Sequence, residues 1–350
     1  MHKCIVVLAA MVACLVPASA TARTHHHPKA HPPRCRRDRD RDHHKDHDCD
    51  DRGPKRKPKP KSKHTPIKVV APVVILPVLA PVVPPATPPV VPPVTTPRPP
   101  ASPCPIPAPG ATQTLGGRSY AQTGVDTFTK DQPSGPAWTN PSSSATVYTG
   151  DHGMAWTEYP DGWASTHSTD GYEPSTVQSV HDGMLDFNLH TNASGHQVGA
   201  DPSPVPSGNQ YQASGVWSMC EKVVPDPGSS LSDFHEAVLL WPQTQGDWQS
   251  AESDYPENDL NASTVSFFAH TGGSSQDTAT APQPFDTARW HVFTQTREPS
   301  GRCYYVDGNL VGCSTQAYVG PERWQLQMEP IGANTGGHGH VYVGWVWIGQ

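Results

Sequence analysis

The chain has 350 residues, of which 41 are proline, and its 25 Lys and Arg face 32 Asp and Glu. The charges are unevenly distributed. Residues 23–64 carry 15 Lys and Arg and seven Asp, whereas residues 111–350 carry seven Lys and Arg and 25 Asp and Glu. The resulting net charge of about −18 in the second segment argues against nucleic acid as a partner, because nucleic-acid sites are basic.

The first 22 residues have the pattern of a signal peptide. Lys3 supplies a positive start, Ile5 to Val16 form an apolar run, and Ala18-Ser19-Ala20 offers small residues for cleavage. This run is too short to span a bilayer. In an alternative interpretation, Cys14 ends a degenerate lipoprotein signal. We expect the mature protein to be secreted or extracellular.

Residues 23–64 contain almost no apolar side chains and are predicted to be a disordered, His-rich basic tail. The histidines at 25–27 and in the stretch 42–51 could chelate a metal, but they lack fixed ligand spacing, so a solvated tail is the simpler interpretation. The lysine-rich stretch 54–63 could bind an anionic cell-surface polymer. We expect the tail to associate the protein with a surface.

Residues 65–110 are predicted to be a Pro-rich linker, because 17 of the 45 residues from 65 to 109 are proline. Val69 to Val83 is apolar enough to resemble a membrane span, but prolines 72, 77 and 81 would break such a helix repeatedly. Polyproline II is therefore expected, which makes the segment a semi-rigid stalk.

Residues 111–350 form the predicted globular domain. Helical periodicity is hard to find there, and short β-branched and aromatic runs alternate with clusters of Gly, Pro, Asn, Asp and Ser. The segment is long enough to bury one sizeable core. The predicted fold class is all-β, a jelly-roll sandwich of two antiparallel sheets. The predicted strands are Met184 to His190, Val216 to Val224, Ala237 to Trp241, Ser263 to His270, Arg289 to Thr296 and Val341 to Ile348.

Six cysteines follow the predicted leader, and an even number in an exported chain favours disulfides. One pair can be argued locally. Asp307-Gly308 is a strong hairpin turn signal, and the two arms of that hairpin would bring Cys303 and Cys313 nearly opposite each other. We predict this disulfide and leave the others open, namely those of Cys35, Cys49, Cys104 and Cys220.

The stretch A-E-S-D-Y-P-E places Glu252, Asp254 and Glu257 within six residues. In a strand, residues two apart share a face, so Glu252 and Asp254 would point the same way and Ser253 the opposite way. Glu257 lies three residues beyond Asp254, so in a regular strand it would point to the opposite face. A bulge at Pro256 would absorb one residue and return Glu257 to the same face, since prolines within sheets gather at bulges and edges.

Three carboxylates on one sheet face suit retaining glycoside hydrolysis, in which one glutamate attacks the anomeric carbon and the other acts as acid and base. The two groups should lie about 5–5.5 Å apart. On a flat sheet their Cα atoms would be about 13 Å apart, so the sheet must be curved. Calcium binding is the alternative, although the alternating Asp, Asn and Gly of a calcium loop are lacking.

E-S-D-Y-P-E resembles the E-x-D-x-x-E signature of family 16 glycoside hydrolases, the laminarinase-like jelly rolls. Other segments resemble that family in order and approximate spacing over roughly residues 150–350. They are H-D-G-M-L-D-F-N-L-H at 181–190, A-V-L-L-W-P at 237–242, R-W-H-V-F-T at 289–294, Y-Y-V-D-G at 304–308 and V-G-W-V-W-I at 343–348.

The resemblance implies Glu252 as nucleophile, Asp254 as assisting acid and Glu257 as general acid and base. It also implies substrate-binding positions at Trp241, Trp248, His270 and Gln327, the tryptophans by stacking on sugar faces. For Trp241 the alternative is core packing, and for His270 it is a solvent-exposed strand end.

The sequence departs from the family pattern at three positions. Ser253 replaces an apolar residue, Ala251 replaces a glycine, and Gly344 stands where many members have an aspartate tied to a structural calcium. Whether a structural calcium is bound therefore stays open, and the predicted site includes no metal ligand. No cofactor is predicted.

The function expected from the sequence is a secreted, monomeric, retaining endo-glycosidase that hydrolyses a β-linked polysaccharide, with β-1,3-glucan the leading candidate. A galactan-active hydrolase of the same family and a non-catalytic, lectin-like cell-wall protein are the alternatives. Binding alone needs no acid and base pair, so the carboxylates favour an enzyme.

Overall fold

The structure is a computed structural model that describes residues 104–166, 171–282, 285–332 and 335–350. The predicted signal peptide, the His-rich tail and all but the last seven residues of the Pro-rich linker lie outside the described residues, as do Cys35 and Cys49. In the described ranges, no helix has the length and apolar character needed to cross a membrane.

The described residues form twenty strands and two one-turn α-helices. The helices are α1 (Pro174–Val177) and α2 (Trp248–Ala251). The strands up to α2 are β1 (Thr112–Leu115), β2 (Arg118–Asp126), β3 (Thr146–Thr149), β4 (Ala155–Thr157), β5 (Trp163–Ala164), β6 (Gly171–Tyr172), β7 (Gln178–His181), β8 (Met184–Thr191), β9 (Gln197–Val198), β10 (Ser203–Val205), β11 (Gly215–Pro225) and β12 (Phe234–Pro242). The remaining strands are β13 (Ser253–Asp259), β14 (Ser266–Gly272), β15 (Ser275–Thr280), β16 (His291–Glu298), β17 (Gly301–Val306), β18 (Asn309–Ser314), β19 (Glu322–Pro330) and β20 (Gly339–Gly349).

Two antiparallel sheets dominate the fold. The larger has ten strands, seven of which follow the order β1-β2-β20-β11-β16-β17-β18. The other three branch from β20: β8 pairs with β20, and β7 and β9 pair with β8. The smaller has the order β15-β14-β13-β12-β19. The core between them takes alternate residues of each strand, among them Phe234, Val238 and Leu240 of β12. Burying each such side chain contributes roughly 1.5–3 kcal/mol. The predicted two-sheet sandwich is confirmed.

The six strands predicted from the sequence are all present, with ends that differ by at most three residues. Asp307-Gly308 forms the predicted tight turn and Asp182-Gly183 forms a second one, and all four residues have positive φ values between 50° and 77°. Such pairs suit the two-residue turn that matches strand twist. The hairpin of β17 and β18 pairs Cys303 with Cys313, and the predicted disulfide between them is confirmed.

A second disulfide joins Cys104 to Cys220 across 116 residues of sequence. Cys220 lies on the outward face of β11 in the ten-stranded sheet, and Trp345 and Trp347 of the neighbouring strand β20 flank it in one buried cluster. The end of the Pro-rich segment is thereby fixed over these two indoles. No local turn signal predicted this bridge, because its partners are distant in sequence.

The same outward face carries a chain of alternating histidines and aspartates. The buried Asp186 carboxylate lies 3.0 Å from His181 Nε2 and 2.8 Å from His340 Nδ1. Asp182 lies 2.9 Å from the other nitrogen of His181, and Asp226 lies 3.6 Å from that of His340. The hydrogen bond to Asp186 raises the pKa of His181 to about 9 against the lowering effect of burial, and it also raises the pKa of His340.

These raised pKa values predict a loss of stability in alkali. An unfolded histidine titrates near pH 6.5, so the stabilisation from His181 is complete below about pH 6.5 and disappears as the pH rises through about 9. We expect Asp186→Asn to be less stable than the wild type near pH 6 and to lose less stability between about pH 6 and 10. Urea midpoints across this range measure both effects. The matched Asp182→Asn should change the profile less, since the Asp186 contact is the stronger one. Parallel profiles for the wild type and Asp186→Asn would contradict the prediction.

Candidate active site

The carboxylate stretch begins in a helical turn, which corrects the expectation that Glu252 lies within a strand. Helix α2 ends where the Glu252 N–H donates to Trp248 O at 3.0 Å, and β13 starts one residue later, at Ser253. The His270 N–H donates to Glu252 O at 2.9 Å, so the backbone pairing between β13 and β14 still reaches Glu252. The residue is thereby held at the start of the middle strand of the five-stranded sheet.

The predicted bulge is present. Asp254 pairs with Leu239 of β12 and Glu257 with Ala237, so three steps along β13 match two along β12. Ser253 faces the core, as predicted, where its hydroxyl lies 2.6 Å from the Tyr304 hydroxyl. This contact supplies a polar partner that the sequence did not show.

The bulge places Glu257 on the outward face of the five-stranded sheet. We call this surface the site face; it is formed by alternate residues of its strands, including His235, Asp254, Glu257, His270 and Gln327. On β12 and β19 these residues alternate with core residues. The Tyr255–Pro256 peptide within the bulge is cis.

Glu252, Asp254 and His270 form the centre of the site face. His270 Nε2 lies 3.8 Å from Glu252 Oε2 and 3.8 Å from Asp254 Oδ2. The Trp248 ring meets the His270 ring edge-on, with 5.7 Å between centroids, and is 37% exposed. Burial lowers the pKa of His270 although the Glu257 charge opposes it, so the neutral imidazole is favoured.

Burial and mutual repulsion raise the pKa of both carboxyl groups at this centre. Burial, then the charges of Glu257 and Glu329, raise the pKa of Glu252 to about 8. Burial and the charges of Glu252 and Glu257 raise the pKa of Asp254 well above its ordinary value. Asp254 is the more buried of the two, with 6% of its side chain exposed against 18% for Glu252. The proton that the pair holds therefore belongs on Asp254, and Glu252 ionises first.

Glu257 has a histidine partner that sequence reasoning missed. His235 Nε2 lies 3.4 Å from Glu257 Oε1, and His235 Nδ1 lies 3.0 Å from Asp259 Oδ1. Burial lowers the pKa of His235, but its contacts with Asp259 and Glu257 outweigh burial and raise that pKa to about 10. A protonated ring therefore fixes the Glu257 carboxylate. The available signal was parity, since His235 and Ala237 are two apart on β12 and share a face.

The β19 side of the site face carries Gln327, together with an aromatic stack that was not predicted. Gln327 lies opposite Ala237, and its amide donates to the Tyr172 hydroxyl at 2.7 Å. Tyr159 stacks on Tyr172 and on Trp163, with centroids 5.9 and 5.1 Å apart, and Trp163 is 49% exposed. An indole open to solvent on an ordered stack can accept the face of a sugar ring.

Trp241, the remaining predicted residue, lies near the end of β12. It pairs with Arg323 of β19 and is half-buried. Trp241 is an even number of residues away from His235 and Ala237 on β12, so its side chain lies on the site face and not in the core. It lies one strand away from β13 and does not belong to the central cluster.

Buried polar groups hold the backbone around Glu252. The Gln316 amide donates to Glu252 O at 3.0 Å and to His270 O at 2.5 Å. Arg302 donates to Ala251 O at 3.0 Å and to Glu322 Oε1 at 2.8 Å. The backbone carbonyl groups of Ala251 and Glu252 are thus both hydrogen-bonded, which fixes the backbone of the nucleophile candidate as a preorganised site requires.

No protein-family model matches the sequence, and no curated protein matches it. Solved structures do match. SCLam, a non-specific endo-β-1,3(4)-glucanase from family 16, superposes with a TM-score of 0.51 at 13% identity, covering 68% of this chain and 94% of that chain. A variant of SCLam co-crystallised with 1,3-β-D-cellobiosyl-cellobiose superposes with a TM-score of 0.52 at 13% identity, covering 69% of this chain and 99% of that chain.

The chain has the fold of the family 16 endo-glucanases. The predicted jelly roll is thereby confirmed, and the match covers nearly the whole length of each solved domain. At 13% identity the likeness establishes the fold alone. The chemistry depends on the side chains of the site.

Proposed function

We propose that this protein is a secreted, retaining endo-β-glycosidase whose substrate is a β-1,3-glucan or a related β-linked polysaccharide. The observation that carries the proposal is the bulge in β13, which places Glu257 on the same outward face as Asp254 and Glu252. The solved glucanase structure that presents a 1,3-β-D-cellobiosyl-glucose at its active site supports the substrate class.

In the proposed mechanism Glu252 is the nucleophile. The reacting form has Glu252 ionised and Glu257 protonated. The Glu252 carboxylate attacks the anomeric carbon while Glu257 donates its proton to the departing glycosidic oxygen, so the C–O bond breaks as the ester to Glu252 forms. Water, deprotonated by Glu257, then attacks the same carbon and releases Glu252. Asp254 keeps its proton and can hydrogen-bond the Glu252 carboxylate, which steadies the nucleophile without competing for its charge.

His235 acts as a positioning residue in this mechanism. The protonated ring fixes the Glu257 carboxyl group from the side of β12. An acid that must protonate one specific oxygen benefits from a fixed direction, since small misplacements weaken proton transfer. The contact to Asp259 keeps the ring in that orientation.

An internal cleavage mode is supported by aromatic side chains on both sides of the carboxylates. Trp248 lies beside His270 of β14, and Trp163 extends from the stack beside β19. Four neighbouring strands about 4.8 Å apart span about 14 Å, which is the length of roughly three sugar rings. A polymer can therefore contact protein on both sides of the cleaved bond.

The proposal is tested by reducing-end release from a panel of β-1,3-glucan, mixed-linkage β-glucan, agar and carrageenan. The wild-type chain is expected to release ends from one class of polymer, and Glu252→Gln is expected to retain binding to that polymer without releasing ends. Retained binding with no release by the wild type would instead assign the protein to the lectin-like class. Release from the galactans alone would move the substrate to that group.

Trp248 gives a separate prediction about binding. Trp248→Ala removes a half-exposed indole beside His270. We expect KM for the hydrolysed polymer to rise roughly fivefold, equivalent to about 1 kcal/mol, with kcat changed less. Trp163→Ala is the matched control on the opposite side and should raise KM for long substrates more than for short ones. An unchanged KM in Trp248→Ala would show that its ring packs on His270 without contacting sugar.

A further inference from the structure

We propose that Glu252, Asp254 and His270 form a binding site for a divalent transition-metal ion, with Zn²⁺ the best match, and that this ion excludes substrate. Each residue offers one ligand atom, and the three atoms all lie within 4.8 Å of one another. Tetrahedral zinc with bonds of 2.0–2.1 Å holds its ligand atoms about 3.3 Å apart. The two contacts of His270 Nε2, at 3.8 Å each, need shorten by only about 0.5 Å.

A buried oxygen without a partner supports the site independently. Asp254 Oδ1 has no hydrogen-bond partner among the described residues, and only 6% of the Asp254 side chain is exposed. A buried polar atom left unpaired costs about 1–3 kcal/mol, and a cation held by both oxygens of this carboxyl group would relieve that cost.

The surrounding charge also favours a cation. The carboxylates of Glu257 and Glu329 act on Glu252 at the centre of the site face. Among the described residues, two cations lie around the site, and each is already paired. The protonated ring of His235 contacts Glu257 and Asp259, and the Arg302 guanidinium, which acts on Asp254, contacts Glu322. A divalent ion would therefore enter a region of excess negative charge.

The donor set selects among metals. Ca²⁺ and Mg²⁺ take oxygen ligands, whereas an imidazole nitrogen with carboxylates suits Zn²⁺, Cu²⁺ or Ni²⁺. His270 Nε2 already faces both carboxylates, at 3.8 Å from each. Three protein ligands leave a fourth position for water, and the partly exposed side chains of Glu252 and His270 give the ion access from solvent.

Inhibition by the ion rests on the proposed function, whereas binding of the ion does not. A Glu252 carboxylate that ligates a metal donates electron density to the ion and is a poorer nucleophile, and the ion would occupy space that the sugar needs. Competitive inhibition by Zn²⁺ is therefore expected, with no effect of Ca²⁺ at the same free concentration.

The first test measures binding without any substrate. Equilibrium dialysis of the full chain at free Zn²⁺ fixed with nitrilotriacetate is expected to show one more bound ion per chain for the wild type than for His270→Gln. The histidines of residues 23–64 are common to both proteins and cancel in the difference. Asp254→Asn, which is nearly isosteric, should show the same loss, and the exposed His338→Gln should show none.

The second test uses turnover of whichever polymer is hydrolysed. The inhibition constant for Zn²⁺ should rise by about tenfold or more in His270→Gln. Loss of an outer-shell partner already lowers metal affinity by about tenfold, and loss of a direct ligand should lower it at least as much. Equal ion counts in dialysis for the wild type, His270→Gln and Asp254→Asn would overturn the metal site. If no polymer is hydrolysed but the dialysis difference is present, the proposed function fails and the metal site stands.

Discussion

Glu252→Ala is expected to lose measurable hydrolysis and to recover turnover when sodium azide is added. The substitution removes the carboxylate but leaves Asp254, Glu257 and His235 in place, so the acid that protonates the leaving group remains. Azide is small and anionic and can occupy the volume of the missing carboxyl group. With an aryl β-glycoside, azide should form the new bond to the anomeric carbon as the bond to the phenolic oxygen breaks. One displacement gives an α-glycosyl azide, which NMR identifies.

Glu257→Ala is the matched variant for the other role. Hydrolysis of the polymer should fall by about 10²–10⁴-fold, because no acid protonates the leaving oxygen. An aryl glycoside, whose leaving group needs no acid, should still form the ester with Glu252. Azide should then attack that ester and give the β-glycosyl azide after two displacements. If the two variants gave the same anomer, the roles assigned to Glu252 and Glu257 would be wrong.

Glu322→Gln is expected to produce the largest loss of stability. Glu322 Oε1 accepts from Arg302 at 2.8 Å, and Arg297 Nε lies 3.0 Å from Glu322 Oε2. All three side chains are at most 1% exposed. Neutralising the carboxylate leaves two buried guanidinium charges without an anion, which costs about 3–5 kcal/mol. Urea denaturation should show this as a lower midpoint with an unchanged slope.

The matched control for Glu322→Gln is Glu298→Gln. Glu298 pairs with Arg118, which is 60% exposed, and an ion pair with such an exposed partner contributes only about 0–1 kcal/mol. Glu298 also accepts from the Tyr120 hydroxyl at 2.8 Å, a hydrogen bond that the amide oxygen of Gln can keep. Because Arg302 also donates to Ala251 O, the folded fraction of Glu322→Gln should show a reduced kcat as well. Equal midpoints for the two variants would contradict the role of the buried triad.

The strands and their turns could be predicted because their signals are local. Asp182-Gly183 and Asp307-Gly308 adopt the positive φ values that such pairs tolerate, and the second pair sets the register that joins Cys303 to Cys313. The bulge could be predicted too, since the parity of Glu257 and the presence of Pro256 are both visible in the sequence. Each of these features depends on residues within about ten positions of one another.

The features that were missed depend on pairings between distant segments. Glu322 meets Arg302 and Arg297 only after β16, β17 and β19 have converged, and periodicity within one strand does not specify such a meeting. His235 was visible as a residue of β12, but its position beside Glu257 needed the β12–β13 register. The helical turn of α2 was missed because four residues are too few to show helical periodicity.

The bridge between Cys104 and Cys220 determines how the domain bears mechanical load. A pull on the residues that precede Cys104 passes through the disulfide into β11, which β20 and β16 flank on both sides. Such a force loads two ladders of hydrogen bonds at once, whereas without the bridge it would act first on the edge strand β1, which has one ladder. Since Cys220 lies on the outer side of the opposite sheet from Glu252, the tension also enters at the back of the domain, and the carboxylates can stay in register while a force acts on the chain before Cys104.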